Sequence, residues 1–401
     1  MSGFQSAVAD LIRADLSKRR PLPDRVANPS IEDIAAGRGT PLHVAVARFD
    51  GIGDWVLTLP LILSLLGSDA VASVTCVAPS RHASLLGAHP GVAVEGIGRL
   101  TILEPPAPGG VLGKLIATSA IGQRRASRVG LEARGRWDVV VLPRWDTDVG
   151  QNARAWAQGT AAPIIGFDPA ARPDVRPQEG RERALVSAPV PETRDCINEI
   201  EHTRALMLAM GLEDHVRPGY GKAYFGVDDD SFRDGIAMHV SSIEPKRRWP
   251  AHLWREVASE LIRQGEKVIL IGGPGDAPVH QFIQDGLGSA ITSTSGVVGL
   301  ADLPHVLAKS RAFVGNDSGP MHIASSLGVP TVAVSPHPVG ASDSHRNSPT
   351  RFGPWGTTAV VLRPQPAGTG CTDGCVASKP HCIATISARD VLAAVNEVKG
   401  A

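Results

Sequence analysis

Apolar and polar positions alternate in blocks along most of this chain, and the blocks have the lengths of buried strands and one-sided helices. Residues 42–49 (LHVAVARF) are an apolar run of small and β-branched side chains, which predicts a strand covered on both faces. A polar turn follows, Asp50-Gly51-Ile52-Gly53-Asp54, and then residues 55–66, too apolar for an exposed helix. A strand at 71–77, a helical piece at 81–87 and a buried strand at 137–142 continue the alternation. The stretch 168–191, rich in Pro, Arg and Glu, reads as a long exposed loop. Residues 193–210 read as a helix ended by Gly211 that leads into a second half.

That second half repeats the pattern. A strand at 236–240, a helix at 250–264 and a strand at 267–271 run into Gly272-Gly273-Pro274-Gly275. Helices at 277–287 and 303–309 flank a short segment at 291–293. Strands alternating with helices imply parallel, doubly wound sheets, one in each half. Two halves with no shared core would leave a cleft between them, the usual place for a ligand. The final helix, 387–398, is expected to pack back across that cleft onto the first half.

The densest signal is residues 312–335, AFVGNDSGPMHIASSLGVPTVAVS, two strands with a helix between them. Pro320 suits the first helical position, where a missing N–H is harmless, and Gly328 with Pro330 suits the end. Asn316, Asp317, Ser318 and Gly319 therefore fall at a helix N-terminus on the carboxyl edge of a parallel sheet, where a phosphate is readily held. Asp317 or Ser318 could equally cap the helix, and His322 could be an ordinary packed histidine. The turn at 50–54 has the same two readings. Gly51 and Gly53 allow close backbone approach to a ligand, while Asp54 stands at a helix start as ligand or cap.

Composition narrows the classes. The 401 residues are 43% hydrophobic and 20% charged, enough for two α/β domains. Lys plus Arg and Asp plus Glu both number 40, so no global field favours nucleic acid. Arg124, Arg125, Arg128, Arg134 and Arg136 form a local basic cluster, read as a solvated face in preference to a surface for an anionic acceptor or membrane. No apolar run reaches the roughly 18 residues of a membrane span, and charges interrupt the first 20 residues where a signal peptide would be apolar. The expected location is cytoplasmic, at most peripheral to the inner face of a membrane. Five cysteines do not make a disulfide scaffold. Cys371, Cys375 and Cys382, with His381 beside the last, could hold a metal, but their spacing matches no standard finger, and a thiol cluster or disulfide is the preferred reading.

Four segments taken in order, ARFDGIGDWVLTLP, HVSSIEPKRRWPAHLW, VILIGGPGD and VGNDSGPMHIASSLGVPTVAV, resemble the successive motifs of glycosyltransferase family 9, which includes the ADP-heptose:lipopolysaccharide heptosyltransferases. The resemblance covers most of the chain, from about 42 to 398. It implies an α/β GT-B fold, two Rossmann-like doubly wound domains facing across a cleft, acceptor on the first and nucleotide-sugar donor on the second. It also implies inverting transfer without a catalytic metal or other cofactor. The expected division is an N-terminal extension at 1–38, with an amphipathic helix at 4–16 and a linker, an acceptor domain at 39–192, a connector at 193–220, a donor domain at 221–365, and a cysteine-containing tail with the last helix at 366–401.

By the same resemblance Asp54 is the general base, placed to take the proton of an acceptor hydroxyl. The donor site comprises Ser241, Ser242, Lys246, Arg247, Gly272, Gly273, Asp317, Ser318, Gly319 and His322. The acceptor site comprises Gly51, Gly53, Arg81 and Arg144. The family's phosphate-binding lysine, two positions before Trp249, is Arg247 here, able to grip a phosphate with two bonds. The expected partners are a nucleotide-sugar donor, plausibly an ADP-linked heptose, and a glycan, glycolipid or small acceptor, with no nucleic acid. Two alternatives stay open: a sugar-nucleotide epimerase of similar fold and a binding protein without catalysis.

Overall fold

The computed structural model describes residues 30–79, 82–86, 100–103, 120–144, 152–167, 188–190, 198–228, 233–343, 345, 347–366, 368 and 379–400. They build two six-stranded sheets in which every pairing is parallel. The strands of the first are β1 (Leu42–Ala47), β2 (Val71–Val77), β3 (Leu100–Leu103), β4 (Val139–Leu142), β5 (Ile164–Phe167) and β6 (Ala188–Val190), in the spatial order β3-β2-β1-β4-β5-β6. Those of the second are β7 (Ile236–His239), β8 (Val268–Ile271), β9 (Ile291–Ser293), β10 (Ala312–Asn316), β11 (Thr331–Val334) and β12 (Ala359–Leu362), in the order β12-β11-β10-β7-β8-β9. Each is doubly wound and reverses between its first and fourth strands, β1 and β4 or β7 and β10. Ligand sites of such sheets form outside the carboxyl ends of these strands.

Several elements depart from the sequence reading. Ile31–Arg38, expected as linker, is a helix, α1. Ser30 caps it, its Ile31 is buried, and the Ile31 N–H donates to Met210 O at 2.9 Å. The expected helix at 55–66 is two, α2 (Ile52–Val56) and α3 (Leu59–Gly67). Pro60 cannot donate to the preceding turn, and the Thr58 hydroxyl instead donates to the Asp54 carbonyl at 2.8 Å, which closes α2 early. Helices α4 (Ala83–Leu86), α5 (Ala120–Glu132) and α6 (Asn152–Thr160) follow, and then the connector helix α7 (Glu199–Ala209). Gly211, just past α7, has φ 72° and lies against the start of α1, so close that a Cβ there would stand 2.9 Å from Ser30 Cβ. The stretch expected as a loop at 168–191 contains β6, paired with β5; Pro189 is tolerated there because β6 is an edge strand.

The two halves do share a core. One continuous cluster of buried apolar side chains runs from Leu42, Trp55 and Leu65 through Met207, Tyr220 and Phe225 to Leu303, Met321 and Leu327. The connector α7 and the short α8 (Tyr220–Phe225) contribute to it from between the sheets, and the Tyr224 hydroxyl donates to Leu86 O at 2.6 Å. In the second half come α9 (Ala251–Arg263), α10 (Ala277–Gln284), α11 (Leu303–Ala308), α12 (Gly319–Ser326), α13 (Pro349–Phe352) and α14 (Ala388–Lys399). This last helix does not cross the cleft. It buries Val391, Ala394, Val395 and Val398 with the second sheet and α9, and Lys399 is tied to Glu266 at 3.0 Å. A helix with one apolar stripe stays on the nearest apolar surface, here the sheet it has just left. No helix among the described residues is long and apolar enough to cross a membrane.

Candidate active site

At the end of β1 the chain places a charged side chain where the strand is still covered. Arg48 is 2% exposed. Its guanidinium donates to Asp50 Oδ2 at 3.1 Å, Asp54 Oδ1 at 2.8 Å and Thr58 Oγ1 at 3.1 Å, and Arg144 at the end of β4 pairs with the other oxygen of Asp50. A buried arginine is tolerated only with its donors met, so this network fixes the turn as well as neutralising it. Asp54 Oδ2 accepts the Gly51 N–H at 3.0 Å across the first turn of α2. The carboxylate thus does cap α2, yet 20% of the side chain remains exposed toward the cleft and each oxygen keeps a lone pair.

The other half comes from β7 and β10. Asn316, fully buried, accepts the Trp249 N–H at 3.0 Å and donates to Ser241 O at 3.3 Å, locking the turn after β7 to the end of β10. That turn ends in a single helical turn, Pro245–Arg247, which aims Arg247 at Asp317: Nη2 donates to Asp317 Oδ2 at 2.9 Å and to its carbonyl at 3.2 Å. Arg247 Nε is buried without a partner. Helix α12 begins here with Ser318 in the capping position, but the serine side chain makes no capping bond. His322, on the first turn of α12, is 5% exposed, and its Nδ1 has no partner. Burial pushes its pKa down, while Asp317 and Asp54 pull it the other way.

The halves meet directly. A Cβ on Gly319 would lie 1.9 Å from Ile52 Cγ2, and one on Gly53 would lie 2.4 Å from His322 Cδ2, so both glycines are needed for α2 and α12 to approach. Around this contact opens a cleft of about 910 Å³, within the range of a small-molecule site. Its walls carry carboxylates and arginines from both domains, a hydroxyl-bearing turn and an uncapped helix N-terminus. Such an arrangement can hold an anion on one wall and present a carboxylate to a hydroxyl on the other.

Residues 227–373, which contain the second wall, match the family model described as "Glycosyltransferase family 9 (heptosyltransferase)". Over that segment the chain is similar to glycosyltransferase family 9. Lipooligosaccharide heptosyltransferase 2 of Haemophilus influenzae is 34% identical over 94 residues, 22% of this chain and 27% of that protein. The corresponding protein of Haemophilus ducreyi is 30% identical over 123 residues, 30% of this chain and 33% of its own. These matches span a quarter to a third of the curated relatives. Over the whole fold the chain superposes on the family 9 glycosyl transferase of Veillonella parvula with a TM-score of 0.59 and 19% identity, covering 89% of this chain and 97% of that one. It superposes on the E. coli heptosyltransferase WaaC solved with ADP at 0.61 and 15%, covering 88% and 99%. The GT-B fold is thereby shared.

Asp54, Gly51, Gly53, Arg144, Ser241, Ser242, Arg247, Asp317, Ser318, Gly319 and His322 all line the one cleft. Lys246 does not; its Nζ lies 3.7 Å from Glu244 Oε2. Gly272 and Gly273 also stand back from the cleft, and their neighbours Gly275 and Asp276 line it instead. Gly272 serves packing, since a Cβ there would sit 2.6 Å from Asp276 Oδ2 and 2.8 Å from His280. Arg81, Cys371, Cys375 and the helix expected at 4–16 lie outside the described residues. Cys382 is buried with Sγ 3.6 Å from His381 Nδ1, and no group of three or more metal-ligating side chains occurs among the described residues. Sequence reasoning passed over Arg48, Asp50 and His239. Arg48 had a visible signal, a charge inside an otherwise apolar strand ending; His239 opens the quoted segment HVSSIEPKRRWPAHLW, but nothing along the chain pairs it with Ser318.

Proposed function

We propose that this protein transfers a heptose from an ADP-linked donor to a hydroxyl of a glycolipid acceptor, with inversion and with Asp54 as general base. The observation that carries the reading is the facing of two unlike walls across one cleft: Asp54, held by Arg48, on the first domain, and the uncapped α12 N-terminus beside Arg247 on the second. The neighbour solved with ADP, and the same enzyme with ADP-2-deoxy-2-fluoro heptose, support the donor. The names of the curated relatives support a lipopolysaccharide-type acceptor.

In this reading the acceptor oxygen attacks the anomeric carbon from the side of Asp54 and gives its proton to the carboxylate. The bond from that carbon to the diphosphate oxygen breaks on the opposite side, and its electron pair leaves with the diphosphate. The charge developing there meets the α12 dipole, backbone N–H donors and the unspent Nε of Arg247. Asp317 and His322 are ligands of the donor sugar, while Gly51, Gly53 and Arg144 border the acceptor. Arg48 keeps the Asp54 carboxylate oriented throughout. A thermal-shift series with ADP, UDP and GDP tests the donor half. Stabilisation by ADP above the other two is expected, and stabilisation by none of them would refute the reading.

A further inference from the structure

Serine at a helix N-cap normally turns its hydroxyl onto a backbone N–H of the first turn. Ser318 has the extended backbone of an N-cap, φ −164° and ψ 173°, but its hydroxyl faces the other way. It lies 2.9 Å from the Asn316 carbonyl and 2.9 Å from Nδ1 of His239. The hydroxyl has one proton, and a carbonyl oxygen can only accept, so that proton goes to Asn316. With both contacts made as hydrogen bonds, His239 Nδ1 is the donor to Ser318 Oγ, which assigns the ring the Nδ1–H tautomer. Burial pushes the His239 pKa down to about 4, against the pull of Asp276, so the ring is neutral across the physiological range.

The consequence is a helix end whose natural internal cap has been taken away. A second observation on the same helix points to a ligand: His322, 95% buried and lining the same cleft, leaves Nδ1 without a partner. We propose that His239 is a positioning residue that keeps the N-terminus of α12 open for the donor's diphosphate, by holding the Ser318 hydroxyl away from the capping position. The inference rests on the donor reading given above, and it assigns to a residue of β7 a part in anion binding that it performs through Ser318.

The test is calorimetric titration of ADP and of adenosine, which lacks the phosphates, into the parent, His239→Phe, His239→Asn, Ser318→Ala and the His239→Phe/Ser318→Ala double variant. In His239→Phe the serine is free to cap, and ADP affinity should fall about five- to tenfold, the worth of a serine cap, with adenosine affinity unchanged. His239→Asn places an amide N–H where Nδ1–H was and should restore ADP binding to within about threefold of the parent, as a retained hydrogen bond implies. The double variant should bind ADP no more weakly than Ser318→Ala alone, because the loss at 239 acts only through the serine. Equal losses for ADP and adenosine, or additive losses in the double variant, would overturn the proposal. If His239→Phe does not fold, ¹⁵N chemical shifts of the parent histidines decide: an Nε2–H tautomer for His239 sinks the idea. Failure of the parent to bind ADP, UDP or GDP refutes the donor reading itself, and this inference with it.

Discussion

Arg48 carries more of the site than its place in the sequence suggests. Its three bonds reach Asp50, Asp54 and Thr58, and its own carbonyl accepts the Trp55 indole N–H at 3.0 Å. Replacing it by Met would leave Asp54 without its cation and Asp50 with Arg144 alone at a covered strand end. The expected cost is about 3–5 kcal/mol of stability, the usual result of breaking a buried pair from one side, read as a large drop in the chemical-denaturation midpoint. Asp54→Asn should cost less, since its one amide oxygen can still accept from Arg48, which keeps its bonds to Asp50 and Thr58. If Arg48→Met is no less stable than Asp54→Asn, the network is not what holds the turn. Three buried histidines make a second prediction. Burial lowers the pKa of His239, His280 and His322 below the ordinary 6.5, His239 to about 4. Below pH 6.5 the unfolded chain therefore binds more protons than the fold, and stability falls as pH is lowered toward 4. His239→Asn should flatten that decline in a series of unfolding midpoints; an unchanged slope would contradict the burial account.

At the scale of elements, the contact between α2 and α12 is built on glycine. Gly319→Ala would drive a methyl into Ile52 Cγ2, a van der Waals overlap worth about 1–3 kcal/mol in a packed site. Ile52→Ala in the same protein should recover most of the loss in thermal midpoint, and absence of recovery would place the strain elsewhere. Much of this level was legible from the chain. The second half came through closely, with strands at Val268–Ile271 and Ala312–Asn316 and helices at Ala251–Arg263 and Gly319–Ser326 set by Pro, Gly and sharp apolar runs. The first half was harder to read. Residues 188–190 sit in a proline- and arginine-rich surround that hides a three-residue edge strand, and α1, despite its Ser30 cap and Gly39 stop, directly follows a proline-containing stretch that reads as linker. The motif loops were readable because glycine and proline serve backbone geometry there. A partner such as His239 for Ser318 was not, because the two are neighbours only after β7 and β10 pair.

Across the whole molecule, the continuous core changes what the two-domain division means. The shared cluster and the Tyr224–Leu86 bond tie both sheets to the connector helices, and Arg351 pairs with Glu199 where both are buried, Nε to Oε1 at 2.9 Å. A single cooperative unfolding transition is expected by calorimetry, with calorimetric and van't Hoff enthalpies in agreement. Two resolved transitions would show the halves to be independent. The same coupling fixes Asp54 opposite the open end of α12, and the division of labour between those walls is the centre of this account. It is tested most directly by the rate of heptosyl transfer from ADP-heptose to a lipopolysaccharide-core acceptor, measured for the parent and Asp54→Asn together with ADP affinity. Loss of a general base predicts a rate lowered by roughly 10²–10⁴-fold, with ADP bound as tightly as before. A variant that turns over within a few-fold of the parent, at unchanged ADP affinity, would contradict it.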